Sequence, residues 1–244
     1  MKKYRILLII PIAKHEAEKF LAATIEEATP SIFPDFEVTY RSLSNKATTS
    51  IMYRYDEYRD AQEIVNMCIE AEKEGFDGIF IDCFGEPSVS VVREVVCIPV
   101  VGGFMPAICS ALMVSQIFSI VTVVPSVVPM LRTLARDMGI QQNLVSIREV
   151  GIPVDDLGNE KKLLKAAFEQ SVEAINHGAE SIVLGCTGML HIVKDLENLL
   201  EEKFSTYIPV VAPTGASLTM LQSMIKTGLS QSRLTYFHPP SLKQ

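Results

Sequence analysis

Cys83 and Cys186 stand at matching points in the chain. Cys83 follows the run Ile79-Phe80-Ile81-Asp82, and Cys186 follows Ile182-Val183-Leu184-Gly185. Each precedes a glycine-containing turn, Phe84-Gly85 in one case and Thr187-Gly188 in the other. Amide N–H groups in such turns hold anions and favour a thiolate over a thiol. Two thiols on opposite sides of one cleft would suit proton transfer at a carbon stereocentre. One thiolate removes a proton from one face, and the other thiol delivers a proton to the opposite face. The turns at Gly85 and Gly188 would meet the developing negative charge with N–H donors. A zinc site is disfavoured because no histidine or third cysteine has a matching spacing. A redox dithiol would be expected to show Cys-x-x-Cys, which is absent.

The match extends beyond the cysteines. Gly75, Asp77, Ile79, Ile81, Cys83 and Gly85 correspond, at a constant offset of 103 residues, to Gly178, Glu180, Ile182, Leu184, Cys186 and Gly188. Ile98-Pro99-Val100-Val101 recurs as Ile208-Pro209-Val210-Val211, and two strands end at Pro11 and Pro125. A chance apolar match imitates one block, not three in the same order. The chain therefore reads as two similar halves.

To hold these residues, short apolar runs alternate with amphipathic stretches, as in a parallel α/β fold. The pattern predicts strands over Arg5–Ile10, Glu37–Arg41, Gly78–Asp82, Ile98–Val101, Ser119–Val124, Ser146–Val150, Ser181–Gly185 and Ile208–Val211. Helices are expected over Glu57–Glu74, Pro129–Met138, Glu160–His177 and Ile192–Lys203. A further exposed helix should follow the first strand at Lys14-His15-Glu16. In parallel sheets ligands bind at the carboxyl ends of strands, which is where both cysteines fall.

The 244 residues carry a net charge of −7, with 48% apolar residues. That composition excludes disorder and offers no basic footprint for nucleic acid. Five cysteines without paired spacing argue against a disulfide framework and for a reducing, cytoplasmic setting. No charged residue falls between Val95 and Leu131, but Pro99, Gly102, Gly103, Pro106, Pro125 and Pro129 interrupt the stretch. It reads as buried strand, turn, helix and strand rather than a membrane span. A free cysteine is most often a small buried hydrophobe, and Cys68, Cys97 and Cys109 are read that way. Met113, Met130, Met138 and Met189 are read as core filler, and His15, His177, His191 and His238 as exposed or terminal. Glu86 is read as a charge near a helix N-terminus.

Asp82-Cys83-Phe84-Gly85-Glu86-Pro87 and Leu184-Gly185-Cys186-Thr187-Gly188-Met189 resemble the two cysteine motifs of the aspartate/glutamate racemase superfamily. Within it the chain is most similar to the hydantoin racemase branch, over nearly its whole length. The resemblance includes Ser50-Ile51 with Tyr55-Asp56-Glu57, and Val121-Thr122. Glutamate racemases usually have His, and aspartate racemases Glu, where this chain has Gly188. Arylmalonate decarboxylases keep only one of the two cysteines. The resemblance implies two flavodoxin-like parallel-sheet domains related by a pseudo-two-fold axis, one of 1–105 with 213–244 and the other of 106–212. It implies a cofactor-independent, homo-oligomeric racemase of a small molecule such as a 5-substituted hydantoin. Cys83 and Cys186 would be the acid/base pair, with substrate contacts from Pro11, Ser50, Phe84, Gly85, Thr122, Val123, Thr187 and Gly188. Two departures stand out. Ile10-Pro11-Ile12 replaces a common Asn-Pro-Asn run, and Val123 replaces the second residue of a common Thr-Thr pair. Alternatives are an aspartate/glutamate-type racemase or isomerase, and a non-catalytic binding or thiol-sensing protein.

Overall fold

Ile6, Leu7, Leu8 and Ile9 are fully buried, as a strand must be when helices cover both faces of its sheet. A computed structural model describes residues 3–29 and 31–240. Its strands are β1 (Tyr4–Ala13), β2 (Phe36–Leu43), β3 (Gly78–Ile81), β4 (Val100–Val101), β5 (Phe118–Thr122), β6 (Leu144–Glu149), β7 (Ser181–Leu184) and β8 (Val210–Val211). They form two four-stranded sheets, in orders β2-β1-β3-β4 and β6-β5-β7-β8, with every pairing parallel. The registers correspond. Leu8 lies opposite Tyr40 and Phe80 in one sheet, and Ile120 lies opposite Ile147 and Val183 in the other.

The helices are α1 (Lys14–Ala17), α2 (Leu21–Glu27), α3 (Arg54–Lys73), α4 (Val89–Val95), α5 (Phe104–Val114), α6 (Val128–Asp137), α7 (Glu160–Asn176), α8 (Val193–Phe204) and α9 (Pro213–Thr227). The chain divides into two compact units, Met1–Gly102 with Ser217–Gln244, and Gly103–Ala216. The fold is α/β with two similar parallel-sheet domains.

In the first unit, Leu7, Ile9, Ile79 and Ile81 pack against Ile64, Cys68 and Ala71 of α3 and Val89 and Val92 of α4. The other face of β3 meets α9, whose Leu221 and Ile225 come against Gly78. In the second unit, α7 buries Leu163, Ala167, Ser171 and Ala174. Asn159 Oδ1 caps that helix by accepting the Lys162 N–H at 3.2 Å. Apolar α5 lies against β7 and β8.

All eight expected strands are present. β4 and β8 are shorter than predicted because Pro99 and Pro209 have no N–H to donate. Their carbonyls still accept from Ile79 at 3.0 Å and Ile182 at 2.9 Å. Among the described residues, no helix is long and apolar enough to cross a membrane. Met113 corrects one expectation: at 85% exposed it is not core filler, because it lies on the outward side of α5. Cys97 corrects another, being exposed beside β4 rather than buried.

Candidate active site

In the first unit the site residues gather at the carboxyl ends of β1 and β3. The Asp82 N–H donates to the Ile9 carbonyl at 2.8 Å, which extends the pairing one residue past β3. Cys83 follows, half-buried, and its carbonyl accepts the Glu86 N–H at 3.2 Å. Phe84 is 2% exposed, so the turn is anchored by its ring and presents backbone. Glu86 and Ser88 both have left-handed backbones, with φ of 54° and 62°. Such values cost a non-glycine residue free energy and persist only where the surroundings hold them. The surroundings here include Gly102: a Cβ added to it would lie 2.5 Å from Glu86 Cγ. Glu86 is not in the first turn of α4; its stem lies on Gly102.

Pro11 is buried in β1, where the register skips from Ile10–Ser42 to Ala13–Leu43. A proline without an N–H suits that bulge. Ser50 is 3% exposed in a loop that runs along the end of β1. The Ala13 N–H donates to the Thr48 carbonyl at 2.8 Å, and the Thr48 hydroxyl to the Ser50 carbonyl at 2.7 Å. Asp60 Oδ2 accepts the Thr48 N–H at 2.8 Å and so fixes the loop to α3.

The second unit repeats the arrangement. The Gly185 N–H donates to the Val121 carbonyl at 2.7 Å, the counterpart of the Asp82–Ile9 bond. Cys186, half-buried, caps a 3-10 turn over Thr187–Ile192 that leads into α8. Thr187 and Gly188 are half-buried in that turn. Thr122 is fully buried and its Oγ1 donates to the Gly185 carbonyl at 3.0 Å. Val123 is 2% exposed, and its carbonyl accepts from Gly151 at 2.9 Å and Ile152 at 3.2 Å.

Two units built alike around one cysteine each are matched by a family model. The model is described as Asp/Glu/Hydantoin racemase and aligns with residues 14–221. The chain belongs to this family. It is 30% identical to a hydantoin racemase of Rhizobium meliloti, with 84% of each chain covered. It is 31% identical to a hydantoin racemase of Pseudomonas sp. strain NS671, covering 80% of this chain and 77% of that one. An allantoin racemase from Klebsiella pneumoniae has the same fold, with a TM-score of 0.84 and 27% identity. That comparison covers 97% of this chain and 94% of the other. Membership of the racemase family makes the chain an isomerase.

In this racemase-family chain the structure brings Pro11, Ser50, Cys83, Phe84 and Gly85 to one strand-end cluster. It brings Thr122, Val123, Cys186, Thr187 and Gly188 to another. Cys68 and Cys97 differ from these two. Burial pushes the Cys68 thiol up to about 12, as suits packing filler. Exposed Cys97 lies 3.5 Å from His238 Nε2, away from the strand ends.

Residues that the sequence reading passed over also shape the site. Asp82, 7% exposed, lies beside Cys83 with Thr24 Oγ1 of α2 at 3.4 Å from its Oδ2. Asp82 occupies the repeat position of Gly185, and that pairing was available as a signal. Ser217 Oγ donates to the Gly102 carbonyl at 2.8 Å, joining the two border residues of the first unit. That bond links residues 115 apart in sequence and leaves no local signal.

Proposed function

We propose that the chain is a cofactor-independent racemase of a 5-substituted hydantoin or a related compound such as allantoin, with Cys83 and Cys186 as its acid/base pair. The observation that carries this reading is the equivalent placement of the cysteines after register-matched strands. The hydantoin and allantoin racemases to which the chain is similar support the substrate class.

The chemistry asks little of a cofactor. The C–H at the stereocentre of a hydantoin is flanked by a carbonyl and a ring nitrogen, so its carbanion is delocalised onto oxygen. One cysteine thiolate takes that proton: the C–H bond breaks, an S–H bond forms, and the electron pair moves into the enolate. The other thiol then protonates the carbon on the opposite face and becomes a thiolate. Backbone N–H groups of the turns at Phe84-Gly85 and Thr187-Gly188 would stabilise the enolate oxygen. After product leaves, the protonation states of the thiols are exchanged and return through solvent.

Ile10 and Ile12, 6% and 7% exposed, flank buried Pro11 at the end of β1. An apolar strand end fits a neutral ring better than the two carboxylates of aspartate or glutamate, which favours the hydantoin reading over the amino-acid one. The five cysteines show no paired spacing, in keeping with a reducing cytoplasm. Exposed Tyr53, Tyr55 and Tyr58 at the start of α3 offer a surface for the expected homo-oligomer.

The test is incubation of each enantiomer of a 5-substituted hydantoin with the protein, followed by polarimetry. Rotation is expected to decay to zero, and Cys83→Ala and Cys186→Ala are each expected to abolish the decay. Retained turnover in either variant would overturn the two-thiol reading. Turnover of aspartate or glutamate but not of hydantoins would overturn the substrate class.

A further inference from the structure

The two cysteine loops share a backbone plan but differ at one position. Asp82 and Gly185 each extend the central pairing by one residue, donating at 2.8 Å and 2.7 Å to Ile9 and Val121, which correspond in register. One half therefore carries a carboxylate immediately before its cysteine where the other carries no side chain. Gly185 has no room for one, because an added Cβ would lie 2.6 Å from Thr122 Cβ. The halves differ after the cysteine too. Cys186 caps a 3-10 turn that continues into α8, while α4 begins only at Val89, beyond left-handed Glu86 and Ser88.

We propose that Asp82 is a positioning residue whose buried negative charge keeps Cys83 in its thiol form, so that Cys83 rests as the proton donor and Cys186 as the base. This rests on the reading of the two cysteines as the acid/base pair. The Asp82 side chain is 7% exposed and lies on the sheet face that carries Tyr40 of β2 and receives Thr24 of α2. A second anion formed on Cys83 would be repelled by it, with the interaction weakly screened by solvent. The Tyr40 phenol already registers that charge: burial first, and the Asp82 carboxylate second, push it up to about 12. Glu27, one turn along α2 from Thr24, is held above the usual carboxylate range by burial and then by Glu26. Glu86 in the cysteine loop is turned onto Gly102, and β1 and α9 bring Ile9, Ile10 and Ser217 to this region.

The measurement is the rate of iodoacetamide labelling at each cysteine, resolved by peptide mass spectrometry across pH, in the intact protein and in Asp82→Asn. The labelling midpoint of Cys83 is expected to fall by roughly one unit in the variant, close to a tenfold gain in rate at neutral pH, with the Cys186 midpoint unmoved. A purely structural role would alter rates without moving the midpoint of Cys83 alone. If Asp82→Asn does not fold, Asp82→Gly carries the same measurement with the residue type of the other half. An unchanged or raised Cys83 midpoint in a folded variant would overturn the proposal. Racemisation by Cys83→Ala separates the two claims. Retained turnover removes the acid/base reading itself, whereas lost turnover with an unmoved midpoint removes only the role of Asp82.

Discussion

Thr122 fills the space in which a side chain at Gly185 would stand, and its Oγ1 donates to the Gly185 carbonyl at 3.0 Å. The contact joins the ends of two neighbouring strands immediately before Cys186. It explains why the second cysteine loop leaves its strand at a glycine, and why Thr122 matters without needing to touch substrate.

Gly185→Ala is accordingly expected to destabilise the protein by about 1–3 kcal/mol through overpacking. Urea unfolding followed by circular dichroism measures this, and racemisation should fall as the Cys186 loop shifts. An alanine accepted without loss of stability would mean that the loop yields freely.

The stem of Glu86 does at Gly102 what Thr122 does at Gly185. An added Cβ at Gly102 would lie 2.5 Å from Glu86 Cγ and 2.9 Å from its Cβ. Gly102→Ala should cost about 1–3 kcal/mol. In a Glu86→Ala background part of that cost should vanish, because Cγ and Cδ are gone while the Cβ at 2.9 Å remains. Equal costs in both backgrounds, read from a double-mutant cycle by denaturation, would contradict the contact.

The pH dependence of stability should carry a signature from Glu27. Burial, and then Glu26, raise its pKa in the folded state. A raised carboxylate pKa leaves its favourable contribution present below the unfolded value and lost as pH rises through the folded value. Glu27→Gln is therefore expected to stabilise the protein at neutral pH by a few tenths of a kcal/mol, given partial solvent screening. The gain should disappear below about pH 4, where the glutamate is protonated in both states. A gain that persists at low pH would assign it to something other than charge.

Much of this architecture was legible from short apolar runs. The strands around Ile6–Ile10 and Ser181–Leu184 are continuous hydrophobic segments because helices cover both faces of their sheets. Amphipathic α7 declared itself through Leu163, Ala167 and Ser171. Less visible were α4 and α9, one a short run rich in valine and the other in small residues, neither with a sharp polar stripe. Both cysteines stood out because a repeat related them. The partnership of Asp82 with Thr24 did not, since 58 residues separate them and only α2 crossing the sheet face brings them together. The bond between Ser217 and Gly102 was hidden for the same reason, because it forms only when the chain returns to the first unit.

In the proposed two-thiol mechanism one thiol removes a proton and the other supplies a different one. The most direct measurement starts from a single enantiomer of a 5-substituted hydantoin in D₂O, stopped early, with the enantiomers separated and deuterium at the stereocentre read by NMR. Deuterium is expected in the newly formed enantiomer while the remaining starting enantiomer keeps its proton. Deuterium accumulating in the starting enantiomer ahead of racemisation, or a product that retains the original proton, would contradict that mechanism.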